Sequence, residues 1–241
     1  MITEASAKIF LSQQRGHYES ASFRSYCTFN FGSFFNEHKR AAGDLYVLND
    51  DTLAARQSEK MFIEQDGYIV FIPITGAIHY SDSHGNKNEI LPGELQVGFT
   101  SRGTIVEIRN EYENELVNFL QLRIGTGIPN HYVNPLIVNF DINKYKNNLA
   151  KIYCGNKQFV PDEFPFLINI GKFSGRESLM HNLENRQNTA FIFVVEGVFE
   201  VQDRLLHARD GLGIWNTAAV EAEALSNDAI LIVIEMRNEK R

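Results

Sequence analysis

The chain has 241 residues, of which 44% are hydrophobic and 22% are charged, and its formal net charge is −7. This length is enough for one large or two small domains, and the composition is that of an ordinary globular protein, which excludes disordered and collagen-like chains. Lysine and arginine are scattered along the sequence and do not form a basic stripe, so nucleic acid is excluded as a partner held by phosphate neutralisation.

No stretch approaches the roughly 20 apolar residues that a membrane-spanning helix needs, and the first 20 residues lack a basic start followed by an apolar run. The sequence therefore predicts no membrane association and a cytoplasmic location. Cys27 and Cys154 lie far apart without a metal-binding or redox spacing, and we expect both to be reduced, inert thiols.

Short apolar runs bounded by Gly, Asn, Asp and Ser recur along the chain and predict strands. In chain order the first part contains LYVLN, GYIVFIPI, AIHY, EIL, ELQVGF, TIVEIRN and VNFLQLRI, and the second part contains FLINIG, AFIFVVEG, VFEVQ, GLGIWN and AILIVIEM. Turn signals such as Ser83-His84-Gly85-Asn86 and Pro92-Gly93 separate the runs. Many short strands with such spacing are typical of an all-β barrel or sandwich.

A polar, irregular stretch near residues 125–162 divides the chain, and we place the domain boundary there, giving domains 1–145 and 146–241. The segment DINKYKNNLAKIY within it has apolar residues near helical spacing, so it is either a short helix or a solvated connector. The two halves also share a layout: a strand ends at a glycine, an alternating strand follows, and a Pro-Gly or Asp-Gly turn leads into a further strand. This pattern indicates two copies of one barrel.

Four segments, LNDD, DSHGN, PGELQ and LQLRI, occur in an order that resembles the pirin family of bicupins and its bacterial quercetinase-like members. The resemblance extends over nearly the whole chain, since the C-terminal half is similar to the second cupin domain of those bacterial members. It implies two tandem cupin barrels, each a double-stranded β-helix of the jelly-roll type, with a metal in the N-terminal barrel only.

The metal of the family is held, by this resemblance, by a His-Pro-His run and a later His-x-Glu pair. Gapless placement puts the first pair of ligands on Phe62 and Glu64 and the second pair on Val106 and Ile108. Three of these four residues offer no donor atom, and one carboxylate alone does not hold a metal ion. We therefore expect no metal and no cofactor.

Strand alternation places Phe62 and Glu64 on one face, and Val106 and Ile108 on one face, and we expect both faces to point into the barrel. With Tyr68 these residues form the predicted ligand pocket. Glu64 is a weak acid or base candidate if it is buried there; the alternative is that it reaches the barrel mouth or pairs with a basic residue. Tyr68 either closes the pocket or only packs. The seven histidines show no paired metal-binding spacing, and we expect surface or hydrogen-bonded side chains.

Three functions remain open at this point. The first is a pirin-like bicupin with a degenerate metal site that binds a small hydrophobic molecule or a protein partner. The second is a quercetin 2,3-dioxygenase-like oxygenase, which the resemblance implies but which needs a metal as Lewis acid and redox mediator. The third is metal-independent chemistry that uses Glu64. Because function depends on the site and not on the fold, the first hypothesis is preferred.

Overall fold

The computed structural model describes residues 6–125, 134–144, 146–153 and 166–237, and these residues are almost entirely β-sheet. The first strands are β1 (Ser6–Phe10), β2 (Gly16–Glu19), β3 (Phe23–Cys27), β4 (Leu45–Leu53), β5 (Ser58–Phe62), β6 (Gly67–Thr75), β7 (Ile78–Asp82), β8 (Lys87–Ile90), β9 (Glu94–Thr100), β10 (Ile105–Arg109), β11 (Val117–Gly125) and β12 (Leu136–Asn139). The later strands are β13 (Ala150–Tyr153), β14 (Phe166–Phe173), β15 (Ser178–Asn182), β16 (Thr189–Glu196), β17 (Val198–Val201), β18 (Arg204–His207), β19 (Gly211–Trp215), β20 (Ala219–Ala224) and β21 (Ala229–Met236).

Helical structure within the described ranges is limited to a 3₁₀ turn at Ser12–Gln14. In that part of the chain no helix has the length and apolar character to cross a bilayer.

The N-terminal unit spans Arg15–Phe140 and consists of two sheets of antiparallel strands. The larger sheet has the order β12-β9-β6-β11-β4-β3-β2, and the smaller sheet has the order β5-β10-β7-β8. Apolar side chains from both sheets, among them Met61, Phe71, Val106, Ile108 and Phe119, form one buried cluster between them. The unit is therefore a jelly-roll barrel with a packed apolar interior.

The C-terminal unit repeats this arrangement, and each core strand has a counterpart whose strand number is ten higher, so that β6 corresponds to β16. Its larger sheet has the order β1-β19-β16-β21-β14-β13 and its smaller sheet the order β15-β20-β17-β18. Sixteen buried apolar residues from both sheets fill the space between them. Two jelly-roll barrels in one chain confirm the predicted all-β bicupin fold.

The burial pattern follows the sequence pattern strand by strand. In β10 the buried Val106 and Ile108 alternate with the exposed Ile105 and Arg109, as expected of a strand with one face in a core. Strands β6, β11, β16 and β21 are buried along nearly their whole length, and these are the strands that read as continuous apolar runs.

The structure differs from the sequence-based prediction in its assignment of the chain ends and of several short strands. Strand β1 pairs with β19 of the C-terminal unit, so residues 6–14 do not belong with the N-terminal barrel, and the units divide after Phe140. The predicted alternative of a helix near residues 141–153 is wrong in the described part of that segment, which forms turns and then β13. All of the predicted apolar runs are strands, whereas shorter or more polar strands such as β2, β5, β15 and β20 were missed.

Candidate functional site

The interior of the N-terminal barrel changes from apolar to polar along two neighbouring strands. On β4, Leu53 belongs to the apolar cluster, and Asp51 and Asn49 follow on the same face because side chains alternate. On β11, Phe119 belongs to the cluster, and Gln121 and Arg123 follow on its face.

The register of the larger sheet brings these polar side chains together. Asn49 is paired with Gln121, and Asp51 is paired with Ser25 of β3. Four of the five residues Ser25, Asn49, Asp51, Gln121 and Arg123 are no more than 3% exposed, and Arg123 is 4% exposed. One end of the barrel interior is thus a buried polar cluster.

Gln121 connects Asp51 to Arg123. With its amide nitrogen turned towards Asp51, Gln121 donates to Asp51 Oδ2 at 3.2 Å and accepts from Nε and Nη2 of Arg123 at 2.9 Å each. The guanidinium also donates from Nη1 to the carbonyl oxygen of Phe62 at 3.5 Å and lies over the ring of Phe31, 5.4 Å from its centroid.

Burial raises the pKa of Asp51 to about 7, against the opposing effect of a hydrogen bond from Ser25. The carboxylates of Asp50 and Glu59 raise this pKa further, and the guanidinium of Arg123 lowers it. Oδ1 of Asp51 and Oδ1 of the neighbouring Asn49 are both buried and have no hydrogen-bond partner among the residues that the structure describes. These two acceptors are unused by the protein itself.

A pocket of about 520 Å³ opens onto this polar cluster. Its polar lining includes Ser25, Asn49, Asp51, Glu59, Glu64, Gln121 and Arg123, and its aromatic lining includes Phe23, Phe31, Phe34, Phe35, Tyr46 and Phe62. Phe35 is 79% exposed and Phe62 is 59% exposed. A pocket of this size is within the range of small-molecule sites, and its lining combines aromatic side chains with charged groups that also include Lys60.

The structure brings two of the five predicted pocket residues into this pocket. Phe62 and Glu64 line it, whereas Val106 and Ile108 are sealed in the apolar cluster of the barrel. Tyr68 is buried and packs edge-on against Phe99, with ring centroids 5.6 Å apart, and does not line the pocket.

The expectation that Phe62 and Glu64 point into the barrel alongside Val106 and Ile108 is wrong. Val106 is paired with Met61, and Phe62 is paired with the exposed Ile105. Met61 and Ile63 therefore take the inward positions, and β5 ends at Phe62, before Glu64. Burying two apolar side chains in place of a carboxylate avoids a large desolvation cost.

Glu64 is exposed at the pocket mouth, as in the alternative left open by the sequence, and it is close enough to Arg123 to raise the pKa of that guanidinium. The buried carboxyl of the site is Asp51 instead. Sequence reasoning used LNDD and LQLRI only as signs of resemblance, although both place polar residues at alternating positions of otherwise apolar strands. That alternation was the available signal for a polar interior face.

Donor atoms suited to a metal are not gathered in the described part of the chain. No group of three or more His, Cys, Asp or Glu side chains is placed there to hold an ion. His84 lies 3.2 Å from the hydroxyl of Thr104, and His79 lies near Glu89 and Glu111, as expected of hydrogen-bonded or surface histidines. His181 differs, because its Nε2 is buried without a hydrogen-bond partner among the described residues. His131 and Cys154 lie outside the described residues.

The prediction of an inert thiol is confirmed for Cys27. Its side chain is buried, and burial raises the pKa of the thiol to about 11. A thiol with such a pKa is protonated at neutral pH and is a poor nucleophile.

Comparison with known proteins gives relatives along nearly the full chain. Residues 166–236 match the family model described as the quercetinase C-terminal cupin domain. The chain is 30% identical over 213 residues to protein PM1685 of Pasteurella multocida, covering 87% of this chain and 90% of the relative. It is 23% identical over 224 residues to the quercetin 2,3-dioxygenase of Escherichia coli (strain K12), covering 92% and 95% of the two chains.

Among solved structures, the crystal structure of YhhW from Escherichia coli has a TM-score of 0.82 at 18% identity, covering 98% of this chain and 100% of that chain. A second structure, of bacterial pirin YhhW in complex with nickel(II), has a TM-score of 0.78 at 19% identity and covers 97% and 100% of the two chains. At this identity the likeness establishes the fold alone.

Proposed function

Because this chain belongs to the pirin family of bicupins, we propose that it keeps the two barrels of that family as a small-molecule binding protein with a degenerate metal site. The ligand enters the pocket above Asp51 and Arg123 in the N-terminal barrel. The observation that carries the proposal is the residue content of the N-terminal barrel: two of the positions implied for the metal, Val106 and Ile108, are sealed in the apolar interior, and a pocket with polar groups lies beside them.

The residues at the implied metal positions do not fit a metal ion. Val106 and Ile108 have no donor atoms and are completely buried, and their inward neighbours on β5 include Met61, which pairs with Val106. Glu59, paired with Ile108, is the carboxylate of that strand nearest to them. A single carboxylate among alkyl groups and a thioether does not supply the four to six N or O donors of an oxygenase metal.

The alternative function is a quercetin 2,3-dioxygenase-like oxygenase, supported by the name of the relative from Escherichia coli. It requires a metal that activates the substrate towards oxygen. The residues at the implied metal positions weigh against this oxygenase function, because three of the four lack donor atoms for a metal.

A protein partner is a further alternative, because Phe35 and Phe62 expose large apolar surfaces at the pocket mouth. The cytoplasmic location expected from the sequence stays a prediction.

The proposal is tested by ligand-observed NMR with a panel of small aromatic fragments and protein dialysed against a chelator. We expect several fragments to bind, and we expect Phe62→Ala to weaken their binding because it removes apolar contact area at the mouth. Leu205→Ala, which truncates an exposed side chain of the C-terminal unit, is the control and should leave binding unchanged. Binding only after a metal is added, or no binding of any fragment, would refute the proposal.

A further inference from the structure

Arg123 is a buried cation without an ion-pair partner at the wall of the pocket. Its side chain is 4% exposed, and within the described residues it makes no ion pair. Its hydrogen bonds go to neutral acceptors, the amide oxygen of Gln121 and the carbonyl oxygen of Phe62. Burial lowers the pKa of Arg123, and Tyr46, Asp51 and Glu64 raise it without forming an ion pair with the guanidinium.

A buried guanidinium without a direct ion pair is costly, because burial removes its hydration and the nearby carboxylates of Asp51 and Glu64 offset only part of that loss. Arginine remains charged at neutral pH even when burial lowers its pKa, as it does here. An arriving carboxylate would supply a counter-charge in direct contact through charge-assisted hydrogen bonds, for which the planar guanidinium is well shaped.

The neighbouring walls indicate the body of such a ligand. The ring of Phe31 lies beneath the guanidinium, and Phe34 and Phe62 line the same pocket. Aromatic walls around a fixed cation favour a flat, apolar group that carries its charge at one end.

From these observations we infer that the pocket takes a small aromatic carboxylate, with the carboxylate on Arg123 and the ring against Phe31, Phe34 and Phe62. This inference rests on the proposed function, since it names the ligand class of the same pocket. Arg123 is then the residue that determines charge specificity, and the two free acceptors on Asn49 and Asp51 would receive hydroxyl or amine groups on the ring.

Asp51 makes the binding of an anion depend on pH. The groups that act on this carboxyl are Ser25, Asp50, Glu59 and Arg123, and its pKa of about 7 means that it is largely neutral at pH 6 and largely charged at pH 8. A charged Asp51 repels a bound carboxylate. Affinity for an aromatic carboxylate should therefore fall as the pH rises from 6 to 8, a range in which benzoate itself stays ionised.

The test is isothermal titration of the full chain with benzoate, benzamide and benzylamine, which share a ring and differ in charge. We expect benzoate to bind about tenfold or more tightly than benzamide, the scale of a hydrogen bond to a charged group. The preference should disappear in Arg123→Gln and persist in Arg109→Gln, which removes an exposed arginine outside the pocket. If Arg123→Gln does not fold, the order of the three probes on the wild type decides.

Equal affinity for benzoate and benzamide, or tighter binding of benzylamine, would overturn the carboxylate inference and leave a working small-molecule pocket. Failure of all three probes, together with failure of the fragment panel, would overturn the proposed function as well.

Discussion

Asp51 has a carboxyl whose pKa departs strongly from its ordinary value, because it is buried and two other carboxylates, Asp50 and Glu59, act on it. The folded-state pKa of about 7 lies above the ordinary value of 3.8. The folded state therefore holds a proton that the unfolded state releases between these two values, and the stability of the fold falls as the pH rises through that window.

We predict that Asp51→Asn removes this pH dependence. Relative to the wild type, the variant should gain stability by about 1 kcal/mol per pH unit between pH 5 and 7, because the amide has no charge to desolvate. The measurement is urea unfolding of both proteins at pH 5, 6, 7 and 8. Stability curves that run parallel across this range would show that Asp51 does not titrate there.

Single-residue roles were the least predictable feature of the sequence. Val106 and Ile108 were placed correctly in the barrel interior, since alternation within β10 fixes their face. The buried polar cluster was not predicted, because its members lie on two strands that are about 70 residues apart in the chain. Asn49 and Asp51 are on β4, and Gln121 and Arg123 are on β11. Only the register between β4 and β11 brings them together.

At the level of the element, β5 shows why gapless placement on a strand can give the wrong face. The strand is short, and Met61 within it and Ile63 directly after it compete with Phe62 for the inward positions. The predicted inward positions were shifted by one residue, and such a shift moves every side chain of a strand to the opposite face. In strand β10 the buried Val106 and Ile108 flank Glu107, which forms ion pairs with Lys60 and Arg109, so the inward face is the one that carries no charge.

The turn from β6 to β7 depends on Gly76. Its φ is +75°, and a Cβ there would lie 2.8 Å from Cγ1 of Val117. We predict that Gly76→Ala destabilises the N-terminal unit by about 2 to 4 kcal/mol, as the sum of left-handed strain and overpacking.

Gly85→Ala is the matched comparison for this variant. Gly85 has a φ of +91° and no atom near its missing Cβ, so alanine there should cost only the backbone strain, about 1 to 2 kcal/mol. Chemical denaturation of the two variants measures the difference. Equal losses of stability would mean that the contact with Val117 relaxes without cost.

The whole molecule is a tandem repeat, and the sequence indicated this repeat correctly. The glycine that ends β6 has its counterpart at Gly197 after β16, where φ is again positive at +82°. The pairing of the N-terminal strand β1 with the C-terminal unit was not predictable in the same way. In the C-terminal unit β1 is the edge strand next to β19, and in the N-terminal unit β12 is the edge strand next to β9. The five residues of β1 do not specify which of the two sheets they join.

For the whole molecule, we propose that a barrel of this family binds its ligand without a metal. Elemental mass spectrometry of the purified, untagged protein, before any contact with a chelator or an added ion, measures whether a metal is present. We predict iron, nickel, copper, manganese, cobalt and zinc far below one ion per chain, because the interior positions carry Met61, Val106 and Ile108. A content close to one ion per chain would contradict it and would make oxygen uptake with a flavonol the next assay.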